Sequence, residues 1–502
     1  MKKLILLLSL VIPMMLGAQQ WEMKLDKPSV FVDGVINESD EAIVAGLCYN
    51  TDDEDIYYGT VFKVKKNGEQ ETLSFNNELK NVRLMNIIQL ANGSYFVSGI
   101  EQVGNIGNNK VCDIHILLLD KNLEMVKHER LSPETGYYFG VDQDAILDED
   151  KVIMVCSTLG DDFVRFKPTF FKFNADAEQI ATTYPTVETG INDYSNLNVK
   201  RMQLKKSLDG SGYVLIARFT GSGTNLLKYD KSFRFESTSD PEHPEYMGSS
   251  LYNSYEANSD YWMSDEDMMI FGSYCNYRGD EDRYEVIISD VNLDGTINKY
   301  EVITSDSCHT VFSGNNAMCY VNDSTIYGGY HSYSNAVMPF HTQLCMFNRN
   351  MEILGTITIE DCLGYSSKML LSYANGDLLL LGSVNRTNSI QNVTEATIMK
   401  FTRNDFINAT MDVNEVLDSE ITSFVYPNPT EGKLNIDIRG IGSDIENRVR
   451  IMDLSGRTMM SRIIRGSGNV LTIDVSSFDA GMYVYEIFNT EGTVTKGRFV
   501  RE

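Results

Sequence analysis

The chain repeats a turn signature about every 54 residues, and this period restricts the possible folds more than any other feature of the sequence. Each turn contains Asn, Asp or Gly, and the turns follow alternating apolar runs such as residues 61–64 and 116–119. Period-2 patterning beside such turns is typical of β-hairpins. The seven turns are Lys66-Asn67-Gly68, Asp120-Lys121-Asn122, Asn174-Ala175-Asp176, Tyr229-Asp230-Lys231, Leu293-Asp294-Gly295, Asn348-Arg349-Asn350 and Thr402-Arg403-Asn404.

A second hairpin is predicted between successive turns, and its second strand carries a small residue at a matched position. Glycine weakens a strand, so a glycine that recurs at one place indicates a close approach of neighbouring backbone. Cys156 and Ala217 fit the same explanation, and we interpret Cys156 as a packing residue rather than a reactive thiol. The small residues are Gly46, Gly99, Cys156, Ala217, Gly272, Gly329 and Gly382.

Two hairpins per unit give four strands, and seven units fill residues 30–412. Four-stranded units of about this length are typical of propeller blades, whereas seven equal units are hard to fit into the two sheets of a sandwich. The sequence therefore predicts an all-β fold with a seven-bladed β-propeller over residues 19–418. In period and glycine placement the array resembles the kelch-like and related bacterial β-propellers. Residues 21–25 are the candidate strand for closing the ring.

The N-terminus has the pattern of a secretory signal peptide over residues 1–18. Lys2 and Lys3 precede an apolar stretch, residues 4–16, and small residues follow before Gln19. No later apolar run approaches the roughly 20 residues that a membrane helix needs. The formal net charge of -27 argues against nucleic acid as a partner, because phosphate binding requires clustered lysine and arginine.

The largest insertion in the array, residues 237–260, is predicted to form a long loop between the fourth and fifth units. If each unit is a meander, the connections after its second and fourth strands share one face, and this face has the longer loops. Long loops on a rigid scaffold usually carry binding residues, and Tyr and Trp favour contact surfaces. A loop that packs only on itself is the alternative. The predicted binding residues are Tyr246, Tyr252, Tyr255, Tyr261 and Trp262.

Residues 290–301 match the spacing of an EF-hand calcium loop and also resemble the calcium loops of dockerins. Asp290, Asn292, Asp294 and Glu301 would supply oxygen ligands, and Gly295 would provide the sharp turn. The same segment coincides with a hairpin turn of the fifth unit and has strands, not helices, predicted on both sides. A plain Asp-Gly hairpin is therefore the alternative, and no cofactor other than calcium is predicted.

Two further candidates lie on the long-loop face. Arg278-Gly279-Asp280 is the tripeptide that integrins recognise on a turn, although its charged neighbours also fit a solvated loop. His309, His331 and His341 could hold zinc or copper, but their spacing follows no ligand motif. The sequence contains no H-E-x-x-H, G-x-S-x-G or phosphate-binding glycine loop.

The composition changes after residue 418. Residues 419–502 carry 10 basic and 11 acidic side chains, so nearly all of the net negative charge belongs to the array. With residues 419–423 as a linker, residues 424–502 are predicted to form a small immunoglobulin-like β-sandwich. Its strands are predicted at residues 433–438, 449–454, 471–475, 482–488 and 493–500.

Short motifs follow one another along residues 424–502, and they contain Tyr426, Pro427, Asn428, Pro429, Thr430, Gly432, Gly456, Gly481, Tyr483 and Lys496. These motifs resemble the type A sorting domain of the type IX secretion system. This resemblance implies a Bacteroidota protein that crosses the outer membrane through the type IX machinery and is then released or attached to the surface. An ordinary immunoglobulin-like appendage is the alternative.

A sorting domain directs export, so we expect the biochemical function to lie in the repeat array. We expect a secreted or cell-surface protein that binds a glycan or a protein through its long-loop face without catalysis. The alternative is an extracellular polysaccharide-active enzyme, a glycosidase or lyase with a carboxylate-lined funnel, and a structural role in the envelope is a third option. Clustered carboxylates with a tyrosine at the funnel would favour the enzyme, and an exposed aromatic strip would favour the binding protein.

Overall fold

The computed structural model is almost entirely β-structure and divides into two compact units, the first ending at Ile407 and the second beginning at Asn408. No helix among the described residues is long and apolar enough to cross a membrane. The structure describes residues 19–501 apart from 26, 51–55, 76–77, 107–108, 160–165, 185–198, 220–222, 240, 242–253, 277–282, 305–307, 312–315, 335–336, 360–367, 385–394, 412–421, 427–428, 431, 440–446, 454–456, 465–469 and 490–491.

Most strands of the first unit follow one another in antiparallel groups of four, in which each strand pairs with the next. The second and third groups are joined into one eight-stranded sheet where Phe139 pairs with Cys112. The first two groups are β2 (Ser29–Ile36), β3 (Glu41–Tyr49), β4 (Tyr57–Lys65) and β5 (Gln70–Ser74), then β6 (Val82–Gln89), β7 (Tyr95–Ile106), β8 (Asn109–Leu119) and β9 (Met125–Leu131). The third and fourth are β10 (Tyr138–Asp148), β11 (Lys151–Leu159), β12 (Phe166–Phe173) and β13 (Gln179–Thr183), then β14 (Val199–Lys206), β15 (Gly212–Phe219), β16 (Gly223–Asp230) and β17 (Phe235–Ser239).

The remaining groups of this unit vary the same plan. The fifth is β18 (Ser254–Trp262), β19 (Asp267–Asn276), β20 (Arg283–Asn292) and β21 (Ile297–Thr304). In the next, β22 (Cys308–Val311) and β23 (Met318–Asn322) both pair with β24 (Thr325–Ser334), which continues to β25 (Val337–Phe347) and β26 (Ile353–Ile359). The last combines β27 (Lys368–Ser372), β28 (Leu378–Val384) and β29 (Glu395–Phe401) with the N-terminal strand β1 (Gln19–Lys24).

The N-terminal strand completes the last sheet, at the place where the sequence suggested ring closure. β1 pairs antiparallel with β29, and the Leu25 amide donates to the Ala396 carbonyl at 2.9 Å. The hairpin predicted at Thr402 is wrong, because the helix α1 (Arg403–Met411) begins there. The Thr402 amide and hydroxyl both donate to one Asp405 carboxylate oxygen, at 2.6 and 2.8 Å, which fixes the start of the helix. β1 occupies the position that the fourth strand of this group would take.

Hydrophobic cores lie between successive groups of strands. Ile43 and Val61 of the first group pack with Leu84 and Val97 of the second, and all four are buried. Phe31 and Phe62 of the first group pack with Met369 and Ile398 of the last. The first and last groups of the unit therefore share a core, although they are separated by most of its sequence.

The recurring turn has a common hydrogen-bonding scheme. Asp120 Oδ1 accepts the amides of Asn122 and Glu124 at 2.8 and 2.9 Å, and Leu123 between them is buried with a φ of 67°. The turns that begin at Asn174, Asp230 and Asn348 repeat this scheme. In these four turns the signature is a side-chain cap followed by a buried residue in the left-handed region; the buried residues are Leu123, Ala177, Phe233 and Met351.

The recurring small residue faces an irregularity in the first strand of its group. Gly46 pairs with Phe31, where the register shifts before Asp33, and a Cβ on Gly46 would lie 2.0 Å from the Val30 carbonyl oxygen. Gly99 and Gly272 face the same kind of shift. At the bulge, the backbone of the first strand occupies the space that a side chain on the facing residue would need. The facing residue is therefore small.

Cys156 is buried within the core between the second and third groups. Its Sγ lies 3.7 Å from Thr158 Oγ1, and burial raises its pKa to about 12. A thiol in this state is unreactive, which agrees with its interpretation as a packing residue.

The second unit has two antiparallel sheets that share one hydrophobic cluster. All five strands predicted there exist with bounds that differ by at most one residue at each end, and two strands, β30 and β33, were not predicted. The strands are β30 (Thr422–Tyr426), β31 (Lys433–Arg439), β32 (Arg448–Asp453), β33 (Thr458–Ile463), β34 (Val470–Asp474), β35 (Gly481–Asn489) and β36 (Gly492–Arg501).

Candidate functional site

The first strands of five groups, β2, β6, β10, β14 and β18, bring distant parts of the sequence together, and we call them the inner strands. β2 contacts β6, β6 contacts β10, and β10 contacts β14. β2, β6, β14 and β18 lie at an edge of their sheets, so part of their backbone has no strand partner. Polar side chains of one inner strand can therefore serve the backbone of the next.

Two aspartates of the inner strands do this at matched places. Asp33 Oδ2 accepts the Ile87 amide at 2.9 Å, and its Oδ1 accepts Asn316 Nδ2 at 3.0 Å. Asp144 Oδ2 accepts the Leu204 amide at 2.6 Å. Each carboxylate thus joins its own inner strand to the next one along the chain.

Burial changes the protonation of both carboxyls. It raises the pKa of Asp33, and it raises the pKa of Asp144 to about 7, although the Leu204 amide and the Lys205 ammonium act in the opposite direction. The negative charge of Asp33 also raises the pKa of Asp144, so the two carboxyls are near enough to interact. At neutral pH, Asp144 is therefore protonated in a large fraction of molecules.

A lysine separates Asp144 from a third aspartate. Lys205 Nζ lies 3.2 Å from Asp260 Oδ2, and the Asp260 side chain is fully shielded from solvent. Burial acts to lower the pKa of Lys205, but the carboxylates of Asp260 and Asp144 outweigh it and the pKa is raised. We call Asp33, Asp144, Lys205, Asp260 and Asn316 the inner-strand cluster.

The cluster has the residue types of a general acid site. One carboxyl that titrates near pH 7 beside a second carboxyl is the arrangement by which two acids take different roles. However, Asp33 and Asp144 already accept backbone amides of neighbouring strands, and Asp260 pairs with Lys205. Within the described part of the chain, no group of three or more His, Cys, Asp or Glu side chains is arranged to hold a metal ion.

The sequence carries a signal for this cluster that is not a short motif. Asp33, Asn86, Asp144 and Gln203 occupy equivalent positions after the irregularity in each first strand, so a polar residue recurs near the repeat period. Strands that bury both faces would normally be apolar at such a position. A search for polar residues in register would have found it.

The predicted aromatic surface is divided by a strand. Tyr246 and Tyr252 lie outside the described residues, and residues 254–260 belong to β18 rather than to a loop. Tyr255 stands near the start of β18, whereas Tyr261 and Trp262 end it, roughly 20 Å away for an extended strand.

The two aromatic residues at the end of β18 have partners within the fold. Tyr261 stacks on Tyr320 with ring centroids 3.7 Å apart. Trp262 packs against the hydrophobic cluster that contains Val214 and Ile270. These contacts favour a packing role for both rings.

The residues of the predicted calcium loop lie on the hairpin of β20 and β21. Asp290 pairs with Lys299 across the strands, and Gly295 in the turn has a φ of 94°. Asp294 Oδ1 accepts the Thr296 amide at 2.8 Å, and Glu301 lies 3.4 Å from Lys299 in an exposed ion pair. Asn292 Oδ1 accepts the Asp294 amide at 3.1 Å. Asn292, Asp294 and Glu301 thus have local partners, whereas Asp290 Oδ1 is buried without a hydrogen-bond partner among the described residues. Calcium binding here stays a prediction.

The structure supports neither the tripeptide nor the histidine candidates as a site. Arg278, Gly279 and Asp280 lie outside the described residues. His309 and His341 both oppose Ser332 in the register of β24, whereas His331 is the preceding residue on that strand. Neighbouring positions of a strand face opposite sides of the sheet, so the register does not favour one site for all three histidines.

Several residues of the predicted sorting motif hold the second unit together. Thr430 donates its amide to the Val500 carbonyl at 2.9 Å, and Gly432 accepts the Val475 amide at 2.7 Å. The Tyr483 hydroxyl donates to the Asp479 carbonyl at 2.8 Å. Tyr426 ends β30, Gly481 begins β35, Lys496 lies in β36 and Pro429 is exposed, whereas Pro427, Asn428 and Gly456 lie outside the described residues.

Comparison with protein families identifies this second unit. Residues 424–501 match the family described as the secretion system C-terminal sorting domain. The match confirms the sorting domain predicted from the motifs. It implies that the chain is exported by the type IX secretion system.

Comparisons of the whole chain give distant likenesses only. Curated proteins contain no significant match. An α-L-arabinanase of Penicillium chrysogenum in complex with arabinobiose is 8% identical, with a TM-score of 0.39, over 76% of this chain and 98% of that one. The S. cerevisiae core factor is 9% identical over 76% and 61%, and the periplasmic gluconolactonase PpgL of Pseudomonas aeruginosa is 10% identical over 67% and 86%, both at a TM-score of 0.39. None of these likenesses assigns an activity to the chain.

Proposed function

We propose that the chain is a type IX-exported binding protein of a Bacteroidota bacterium, released or displayed at the cell surface. Its first unit is a seven-bladed β-propeller that binds a glycan or a protein without catalysis, and its second unit is an immunoglobulin-like sandwich. The succession of four-stranded groups, the shared core of the first and last groups, and the pairing of β1 with β29 support the propeller.

One observation supports binding over catalysis: the carboxylates of the inner-strand cluster have partners within the fold. Asp33 and Asp144 accept amides of the neighbouring inner strands, and Asp260 pairs with Lys205. A general acid or a nucleophile has to reach its substrate with a hydrogen-bonding atom available. Carboxylates held in this way connect strands. The proposed ligand is therefore bound by residues of the loops.

The binding function is tested with the purified mature chain on arrays of glycans and of extracellular matrix proteins. The masses of bound glycans and proteins are measured before and after incubation. We expect saturable binding to at least one class and no product. Failure to bind either class would overturn the proposal, and a cleaved product would replace it with the enzyme.

The second candidate, a polysaccharide-active enzyme, is favoured by Asp144. A carboxyl whose pKa is raised to about 7 beside Asp33 has the protonation of a general acid at neutral pH. Incubation with a panel of polysaccharides should then release oligosaccharides. Asp144→Asn should abolish the release, while the exposed-site change Asp150→Asn should preserve it. Full activity of Asp144→Asn would exclude this residue as the acid.

Export is tested separately by removing residues 424–502. We expect the shortened chain to accumulate in the periplasm, because the sorting domain is the export signal. The complementary fusion joins the signal peptide and residues 424–502 to a periplasmic reporter, and this reporter should reach the medium or the cell surface. Normal export of the shortened chain would contradict the assignment.

A further inference from the structure

An arginine near the start of β6 is half-buried, and one of its guanidinium nitrogens has no hydrogen-bond partner among the described residues. Arg83 follows the first residue of β6, and its Nε is buried without a hydrogen-bond partner. Burial lowers the pKa of Arg83, and the groups that interact with its charge are Tyr49, Tyr57 and Asp142. We call these four residues the Arg83 cluster.

Backbone contacts fix the two tyrosines relative to the arginine. Tyr49 and Tyr57 pair across β3 and β4, and their rings lie edge to face with centroids 6.0 Å apart. The Asn81 amide donates to the Tyr57 carbonyl at 2.7 Å, and Asn81 is only two residues before Arg83. The cluster is therefore built on paired strands and a tied connection.

The neighbouring inner strand adds a second group without a partner. Gln143 on β10 is buried, follows Asp142 directly, and has no hydrogen-bond partner on either amide atom among the described residues. β10 contacts β6, which carries Arg83. Both donors and acceptors are thus left unmatched on two adjoining inner strands.

An arginine nitrogen that is shielded from solvent without an acceptor, as Arg83 Nε is, is costly to a fold. The guanidinium has five N–H donors, and each buried donor without an acceptor costs free energy. Buried polar groups are otherwise almost always hydrogen-bonded, as Asp33 and Asp144 are. An arginine kept in this state is explained if a ligand supplies the acceptors.

We propose that the Arg83 guanidinium binds the carboxylate of an acidic sugar, with the Tyr49 and Tyr57 rings beside the sugar. This inference rests on the proposed binding function and names its ligand class. The planar guanidinium matches a carboxylate with two parallel hydrogen bonds, and tyrosine rings supply rigid amphipathic contact. The chain carries a net charge of -27, which repels polyanions in general, so recognition of an acidic ligand needs such a localised cation.

The first test compares an acidic sugar with its neutral ester and with a sugar that carries a different anionic group. The full mature chain is titrated with oligogalacturonate, with its neutral methyl ester, and with a sulfated galactan oligosaccharide. We expect the uronate to bind at least about tenfold more tightly than its ester. Stronger binding of the sulfated sugar would assign Arg83 to a sulfate ester and overturn the carboxylate proposal.

The second test changes the arginine. Arg83→Met keeps a similar length without the donors and should weaken uronate binding at least about tenfold, to the level of the ester. Arg83→Lys should retain part of the uronate affinity, because lysine keeps the positive charge but lacks the two parallel N–H donors of a guanidinium. The matched control Lys110→Met removes an exposed cation and should bind within about twofold of the unchanged chain. Equal uronate binding by Arg83→Met would overturn the proposal.

Stability separates a ligand-binding arginine from a structural one. Without ligand, Arg83→Met should melt at the same temperature or higher, because an unmatched buried cation is replaced by an apolar side chain. A clear fall in the melting temperature would indicate an internal partner and contradict the inference. Binding to the ester or to a protein alone would keep the proposed function and reject this ligand, whereas no binding to any array would reject both.

Discussion

Charged side chains of the inner strands have different surroundings in the middle of a strand and at its start. In the middle, Asp33 and Asp144 accept backbone amides of the next strands, and Lys205 pairs with Asp260. At the start of β6, the half-buried Arg83 has a shielded Nε without a hydrogen-bond partner within the described part of the chain. Buried charge with a partner secures the architecture, whereas buried charge without one marks where a ligand would contribute.

The largest expected effect comes from removing the cation in the middle. Lys205→Met leaves the buried Asp260 without its ion-pair partner, so we expect a loss of about 3 kcal/mol in the free energy of unfolding, allowing for the partial exposure of the lysine. Lys206→Met is the matched control, because Lys206 pairs with Asp148 and is more exposed, and it should cost less than about 1 kcal/mol. Urea unfolding of both variants measures the difference. Equal losses would show that the Lys205–Asp260 ion pair contributes no more to stability than the more exposed Lys206–Asp148 pair.

Asp144→Asn tests whether ionisation of the Asp144 carboxyl lowers the stability of the fold at neutral pH. The pKa of Asp144 is raised to about 7 in the folded state from an ordinary value of 3.8, so its stabilisation is complete below pH 3.8 and is lost as the pH rises to about 7. Asparagine keeps an oxygen for the Leu204 amide and does not ionise. The full shift corresponds to about 4 kcal/mol, and we halve it because Asp144 is partly exposed. We therefore expect the variant to match the unchanged chain near pH 4 and to exceed it by about 2 kcal/mol at pH 7.5. The free energy of unfolding is measured at both pH values, and a gap that is the same at both would refute the assigned protonation.

Local features of this architecture could be predicted from the sequence because short-range rules produce them. The Asp120 turn, the small residue at Gly46 and the strands of the sorting domain follow from side-chain caps, bulges and alternation. The hairpin at Thr402 was predicted wrongly, since Asp405 three residues later caps a helix while a strand from the other end of the chain completes the sheet. Propensity alone could not show which strand would fill that place.

The inner-strand cluster could not be assembled from the sequence. Asp33 and Asn316 are 283 residues apart, and the chain has 70 acidic residues, so no spacing identifies which carboxylates meet. Arg83 gave no motif either, because a single arginine in an alternating strand normally lies on a solvent face. Its significance comes only from burial and from missing partners, which the fold alone determines.

A histidine pair away from the inner strands gives the smallest test and the opposite sign. His115 Nδ1 lies 2.9 Å from His128 Nε2, and burial lowers the pKa of both histidines. Their stabilisation is therefore complete above pH 6.5 and is lost as the pH falls through that value, the reverse of Asp144. His115→Gln should make the fall in unfolding free energy between pH 7.5 and 5 shallower by less than about 1 kcal/mol. An unaltered slope would mean that the acid sensitivity of the chain arises elsewhere, and would leave Asp144 as the tested pH-dependent site.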